Sequence, residues 1–200
     1  MSPRRLEAES LRDAMLSVSG QLDPRPPTPE QAFLAKRHPH RDAEFFNFAP
    51  PFKPPEIEHQ YRSVYLPVVR GVLPTVFSLF DFAAPDRPVA QRDESTVPSQ
   101  ALFLMNNAWV IDQSQHAARR LLADMTLDDA DRIHLLFRRA FARPATADEL
   151  RAATEYLASN RPLLDDAKTK VPATPEQLRE ARWSTFCQTI FASADFRTLR

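Results

Sequence analysis

The polar residues best placed to do chemistry in this 200-residue sequence are Arg62, Arg92, Ser95, Thr96, Gln100 and Asn106. They lie beside a candidate edge strand and around the start of a predicted helix. Guanidinium, hydroxyl and amide groups gathered there suit an anionic or sugar-like ligand, because the free N–H groups of a first helical turn favour negative charge. The same residues have a plainer fate. Arg62 and Arg92 can pair with carboxylates such as Asp81 or Asp86 and hold an irregular half of the chain together. Ser95, Thr96 and Ser99 are also ordinary helix-capping types.

Other constellations are weaker. His38-Pro39-His40 is the one close histidine pair, and Asp42 or Glu44 could add oxygen ligands. Nothing in the sequence completes that ligand set, so no metal is assigned. His116 and His134 fall on polar helix faces. There is no His-Glu-x-x-His helix, no Cys-x-x-Cys-His haem attachment and no Gly-x-Ser-x-Gly elbow. Cys187 sits among Trp183, Phe186 and Ile190, where an apolar setting raises a thiol's pKa and leaves it inert. The pairs Asp128/Asp129 and Asp148/Glu149 open helices, where the macrodipole favours acid. Arg138, Arg139 and Arg143 surround a helix end, where it favours base; an anion or acidic partner is the alternative use. No catalytic residue is assigned.

The elements that position these residues follow from composition and periodicity. Hydrophobic residues make up 43% of the chain, enough for a core. Two glycines against 19 prolines argue against hairpin-rich β structure and against a glycine-rich phosphate loop. The prolines must sit in loops and first helical turns. The 26 basic residues balance the 26 acidic ones, and the balance holds in each half, which disfavours nucleic acid as a partner. No stretch approaches a membrane span, and no signal peptide follows Met1.

The spacing predicts a first helix over 4–19 closed by Gly20, with Leu6, Leu11, Ala14, Met15 and Val18 on one face. Residues 21–60 read as a proline- and aromatic-rich arm. Thr28-Pro29-Glu30-Gln31 there opens a short helix, and Phe45, Phe46, Phe48 and Phe52 either staple the arm to the core or bind a partner. Residues 61–69 are the best strand candidate, and 73–82 a short buried helix or turn. A long helix of about seven turns follows Ser95, carrying Leu104, Ala108, Ile111, Ala118 and Leu122 inward. Ile133, Leu136, Phe137, Ala140 and Phe141 mark the next helix, stopped by Pro144. Thr146 with Glu149 caps another, burying Leu150, Ala153 and Leu157, and Thr174-Pro175-Glu176-Gln177 opens the last. The fold is therefore mainly α, with a bundle-like half at 95–200, the irregular arm, and at most one or two short strands, the whole of 1–200 forming one domain.

An ordered set of motifs resembles a known family. Arg4-Arg-Leu-Glu-Ala-Glu-Ser-Leu-Arg-Asp-Ala14 with Ser19-Gly-Gln-Leu-Asp23 forms its opening. Arg62-Ser-Val-Tyr-Leu-Pro67, Phe80-Asp-Phe82, Arg92, Ser95-Thr-Val-Pro-Ser-Gln-Ala-Leu102 and Leu104-Met-Asn106 form its middle. Phe137-Arg-Arg-Ala-Phe-Ala-Arg-Pro144, Glu149-Leu150, Trp183 and Asp195-Phe196 form its end. Together they resemble the C-terminal part of the planctomycete-type cytochrome-c-associated domain of unknown function, the planctomycete surface domain family. The likeness departs at Pro24-Arg-Pro-Pro-Thr28, where the family carries a glycine-rich stretch.

The resemblance implies an accessory or interaction module of a larger exported, cytochrome-c-linked protein. Its partners would be other domains of the same or a neighbouring polypeptide, and any haem would belong to a separate domain of full-length relatives, with no cofactor in this chain. It carries over no catalytic residue. The chain by itself reads as cytoplasmic, whereas the relatives are expected to be periplasmic or at the cell surface. The alternative is an enzyme or ligand-binding domain with its site at Arg62, Arg92 and Ser95–Gln100.

Overall fold

The computed structural model describes residues 4–28, 60–66, 68, 73–85, 87–159 and 174–199. The expected helix after Thr28, the His38/His40 pair and the Phe45–Phe52 cluster lie outside the described residues. The protein is mainly α. Its described residues form seven α-helices: α1 (Ala8–Ser19), α2 (Thr75–Leu79), α3 (Pro98–Asn106), α4 (Ala108–Leu122), α5 (Asp129–Phe141), α6 (Ala147–Ala158) and α7 (Pro175–Ala192). Two strands of two residues each, β1 (Arg4–Arg5) and β2 (Thr198–Leu199), form one small sheet. No helix among the described residues is long and apolar enough to cross a membrane.

The chain divides into two compact units. One takes the described residues of 5–13 and 22–100, the other those of 1–4, 14–21 and 101–200.

The second unit is the helical one, and its elements obey the local rules of their sequence. In α4 the buried residues Val110, Gln113, Ser114, Ala117, Ala118 and Leu121 fall on one face. They pack against α7, which buries Trp183, Ser184, Phe186, Cys187, Ile190 and Phe191. Small side chains on both faces let these two helices approach closely. α5 contributes Ile133, Leu136 and Phe137 to the core and ends in Ala142, whose φ of 57° is a left-handed cap ahead of Pro144. α6 and α7 each open with a complete capping box, Thr146/Glu149 and Thr174/Gln177. Arg132 is buried at the end of α4, donating to the carbonyls of Leu121 at 3.1 Å and Asp124 at 2.8 Å and to the Asp129 carboxylate at 2.9 Å. It thus answers C-terminal carbonyls that the helix itself cannot.

Three expectations need correction. The first helix begins at Ala8, because Arg4–Arg5 is a strand; its stop at Gly20, with φ 79°, is as read. The long helix from Ser95 is two helices. Asn107 is extended, with φ −72° and ψ 129°, and its side chain accepts from Trp109 N at 2.9 Å, so α4 has its own N-cap. The break rotates the buried face: Ala108 is exposed, and Ile111 and Leu122 are half-buried. The strand over 61–69 is absent among the described residues of that range. Tyr61 forms a single parallel bridge to Asp23, and Ser63–Tyr65 is one 3-10 turn.

Candidate functional site

The first unit is built around polar contacts reaching from α1 into its irregular segments. Arg12 is the surprise of α1. It is fully buried, on the same stripe as Ala8, Leu11 and Met15. Its Nη1 donates to the Tyr61 carbonyl at 2.9 Å and to Ser63 Oγ at 3.2 Å. Burial pulls its pKa down to about 10, against the opposing influence of Asp13. The neighbouring Asp13 accepts the Ser63 backbone N–H at 2.8 Å and its hydroxyl at 2.7 Å. These bonds claim groups that a strand ladder would need, which is why 61–66 turns rather than extends.

A second network is centred on Asp81. This residue adopts φ 60°, a left-handed conformation that aspartate tolerates better than most side chains. It follows α2, between Phe80 and Phe82. Its carboxylate accepts the Ser95 N–H at 2.8 Å and the Ser95 hydroxyl at 2.8 Å, and Arg5 Nη1 at 3.3 Å. Arg5 also donates to the Ser95 carbonyl and lies over the Phe80 ring, 5.8 Å from its centroid. Gln100, with no exposed surface, donates from Nε2 to the Leu79 carbonyl at 2.8 Å and the Ser95 carbonyl at 3.2 Å. Two buried atoms of this network have no hydrogen-bond partner among the described residues: Arg5 Nη2, a donor, and Gln100 Oε1, an acceptor.

Arg92 completes the arrangement. Its two terminal nitrogens bind the two carboxylate oxygens of Glu9, at 2.7 and 2.9 Å, and Glu7 stands 3.4 Å away. The guanidinium covers the Phe82 ring at 5.2 Å, and Phe82 in turn stacks on Phe77 at 4.8 Å between centroids. The hydrogen bond to Glu9 raises the pKa of Arg92 despite partial desolvation.

The structure therefore brings Ser95 and Gln100 together in one network and gives Arg92 its own. Arg92 does pair with carboxylates, but with Glu9 and Glu7 rather than Asp81, which is held by Ser95 and Arg5. Arg62 is more than half exposed and only approaches Asp13, at 3.8 Å. Thr96 is exposed. Asn106 belongs to the helical unit, where it is exposed and donates to the Leu102 carbonyl at 3.0 Å. Six residues of helix also turn it well away from the Gln100 face.

The sequence reading missed Arg5, Glu9, Arg12 and Asp13 as network members. Arg12 had a visible signal, since it follows Ala8 by four residues and precedes Met15 by three, on the apolar stripe. Among the described residues no group of three His, Cys, Asp or Glu side chains could hold a metal. His116 lies 3.6 Å from Asp112, one helical turn away. Cys187 is buried, and desolvation pushes its thiol up to about 12.

Residues 1–157 match the family described as PSD1, a protein of unknown function (DUF1553). No curated protein and no solved structure matches the chain.

Proposed function

For a chain that belongs to the PSD1 family of proteins of unknown function (DUF1553), we propose that the polar motif is an internal clasp. The chain then serves as an accessory, interaction module of a larger exported polypeptide. The observation that carries the first part is the Arg92–Glu9 pair: a guanidinium read as a ligand contact is engaged at both ends by its own α1. Ser95 and Gln100 are engaged the same way, by Asp81 and by the Leu79 carbonyl. The second part is supported by the ordered motifs resembling the planctomycete-type cytochrome-c-associated domain. On this reading any haem belongs to a separate domain, and this chain's partners are the neighbouring domains.

Cell fractions immunoblotted with an antibody against residues 126–200, and stained for haem, test that placement. The reading expects a band much larger than the 200-residue chain, in the exported fraction and positive for haem. A haem-free cytoplasmic band at the mass of this chain alone would overturn it.

A second reading, a ligand site around Arg92 and Ser95–Gln100, is favoured by the uncommitted atoms Arg5 Nη2 and Gln100 Oε1. A buried donor and a buried acceptor in one network form a complementary pair that a small polar group can bridge. The two readings part at Arg92→Ala. The clasp loses stability, whereas a ligand site keeps its stability and loses a ligand.

A further inference from the structure

Arg5 and Gln100 meet at one atom. The Ser95 carbonyl accepts from Arg5 Nη1 and, at 3.2 Å, from Gln100 Nε2. The Ser95 hydroxyl joins them again: it lies 3.3 Å from Gln100 Nε2 and donates at 2.8 Å to the Asp81 carboxylate, which also takes Arg5 at 3.3 Å. All four residues belong to one compact unit.

These contacts fix which way the Gln100 amide points. Its nitrogen faces the Leu79 and Ser95 carbonyls, and carbonyls can face only the donor end. The other end, Oε1, is therefore an acceptor, on a side chain with no exposed surface, and it has no partner among the described residues. Arg5 Nη2, on the same guanidinium that reaches Ser95, is a buried donor without a partner there. A donor and an acceptor left so cost stability unless one group satisfies both. The Arg5 and Asp81 side chains are 15% and 17% exposed, so the network borders solvent.

Charge decides the class of that group. Arg5 is already matched by Asp81, which leaves no net charge to attract an anion. A sulfate or carboxylate would accept from Nη2, but it has no proton for Oε1 and would lie near Asp81. An ammonium would donate to Oε1 and could accept nothing from Nη2. A hydroxyl does both, its oxygen accepting from Nη2 while its O–H donates to Oε1.

We propose that Arg5 and Gln100 form a hydroxyl-binding site, which takes one neutral O–H group from water or from a polyol. The polyol case rests on the ligand-site reading of Ser95–Gln100, whereas a resident water serves the clasp equally well.

The test is nuclear magnetic resonance of the isotope-labelled 200-residue chain, read at the Gln100 side-chain amide. Water-selective transfer to the Nε2 protons detects a resident water. Titrations with glycerol and with sodium sulfate, the latter against sodium chloride at matched ionic strength, detect an added group. The proposal expects a long-lived water contact or a saturable shift with glycerol, and no saturable shift with sulfate. Arg5→Lys keeps a donor for the Ser95 carbonyl and loses the second nitrogen. It should lose the water contact and bind glycerol about tenfold more weakly, the loss of one charge-assisted contact. Circular dichroism checks its fold, and Arg5→Met is a second variant. A water contact without a glycerol shift supports the site and overturns the ligand reading, whereas a glycerol shift supports both. A saturable shift with sulfate would overturn the hydroxyl class and leave a ligand site standing. Neither a water nor a glycerol signal, or signals unchanged in Arg5→Lys, would overturn the site.

Discussion

Asp13 holds Ser63 by both its backbone N–H and its hydroxyl, 2.8 and 2.7 Å from a single carboxylate oxygen. This one residue on α1 explains why a β-branched, aromatic segment at 61–66 makes a turn. Asp13→Ala should cost about 1–2 kcal/mol, the usual loss for a carboxylate that caps a free backbone donor. Urea unfolding measures it. Asp13→Asn retains an acceptor and should recover part of the loss.

The fold was legible where local rules decide it. The capping boxes at Thr146 and Thr174, the stripe of Ile133, Leu136 and Phe137, and the stop at Gly20 are all as their spacing implies. The break at Asn107 was hidden because asparagine fits a helix surface as well as an N-cap, and apolar residues continue on both sides. The candidate site was legible only in part. Ser95 and Gln100 do meet, but their partners Asp81 and Arg5 are 14 and 90 residues from Ser95 along the chain. No local pattern carries such pairings. Asn106 shares their stretch of sequence, but it ends α3 as an exposed side chain on a different face from Gln100.

Acid should weaken the turn between α5 and α6. Hydrogen bonds from Arg143, together with those from the backbone and hydroxyl of Thr146, hold Glu149 well below its ordinary 4.5, at about 2. A carboxylate depressed by folding contributes stability that is full above its unfolded pKa and lost as pH falls through its folded one. The decline attributable to Glu149 therefore falls between pH 4.5 and about 2. Glu149→Gln should show less of that decline, while being less stable than wild type near neutral pH. Urea midpoints measured across that range check both signs.

Cys187 should be silent in the folded protein. It has no exposed surface, and burial pushes its thiol up to about 12, so very little thiolate exists at pH 8. Labelling with a thiol reagent should be slow in buffer and complete in denaturant. Fast labelling of the native chain would mean that α7 opens away from its partners far more readily than its packing implies.

Arg92 is engaged by its own chain, through both carboxylate oxygens of Glu9. A double-mutant cycle on Arg92→Ala and Glu9→Ala, read by urea unfolding, tests it directly. The bidentate pair, only partly exposed and backed by the Phe82 ring, should give a coupling energy of about 1 kcal/mol, with both single variants less stable than wild type. A coupling near zero, with Arg92→Ala as stable as wild type, would contradict the clasp and return Arg92 to the role of a ligand contact.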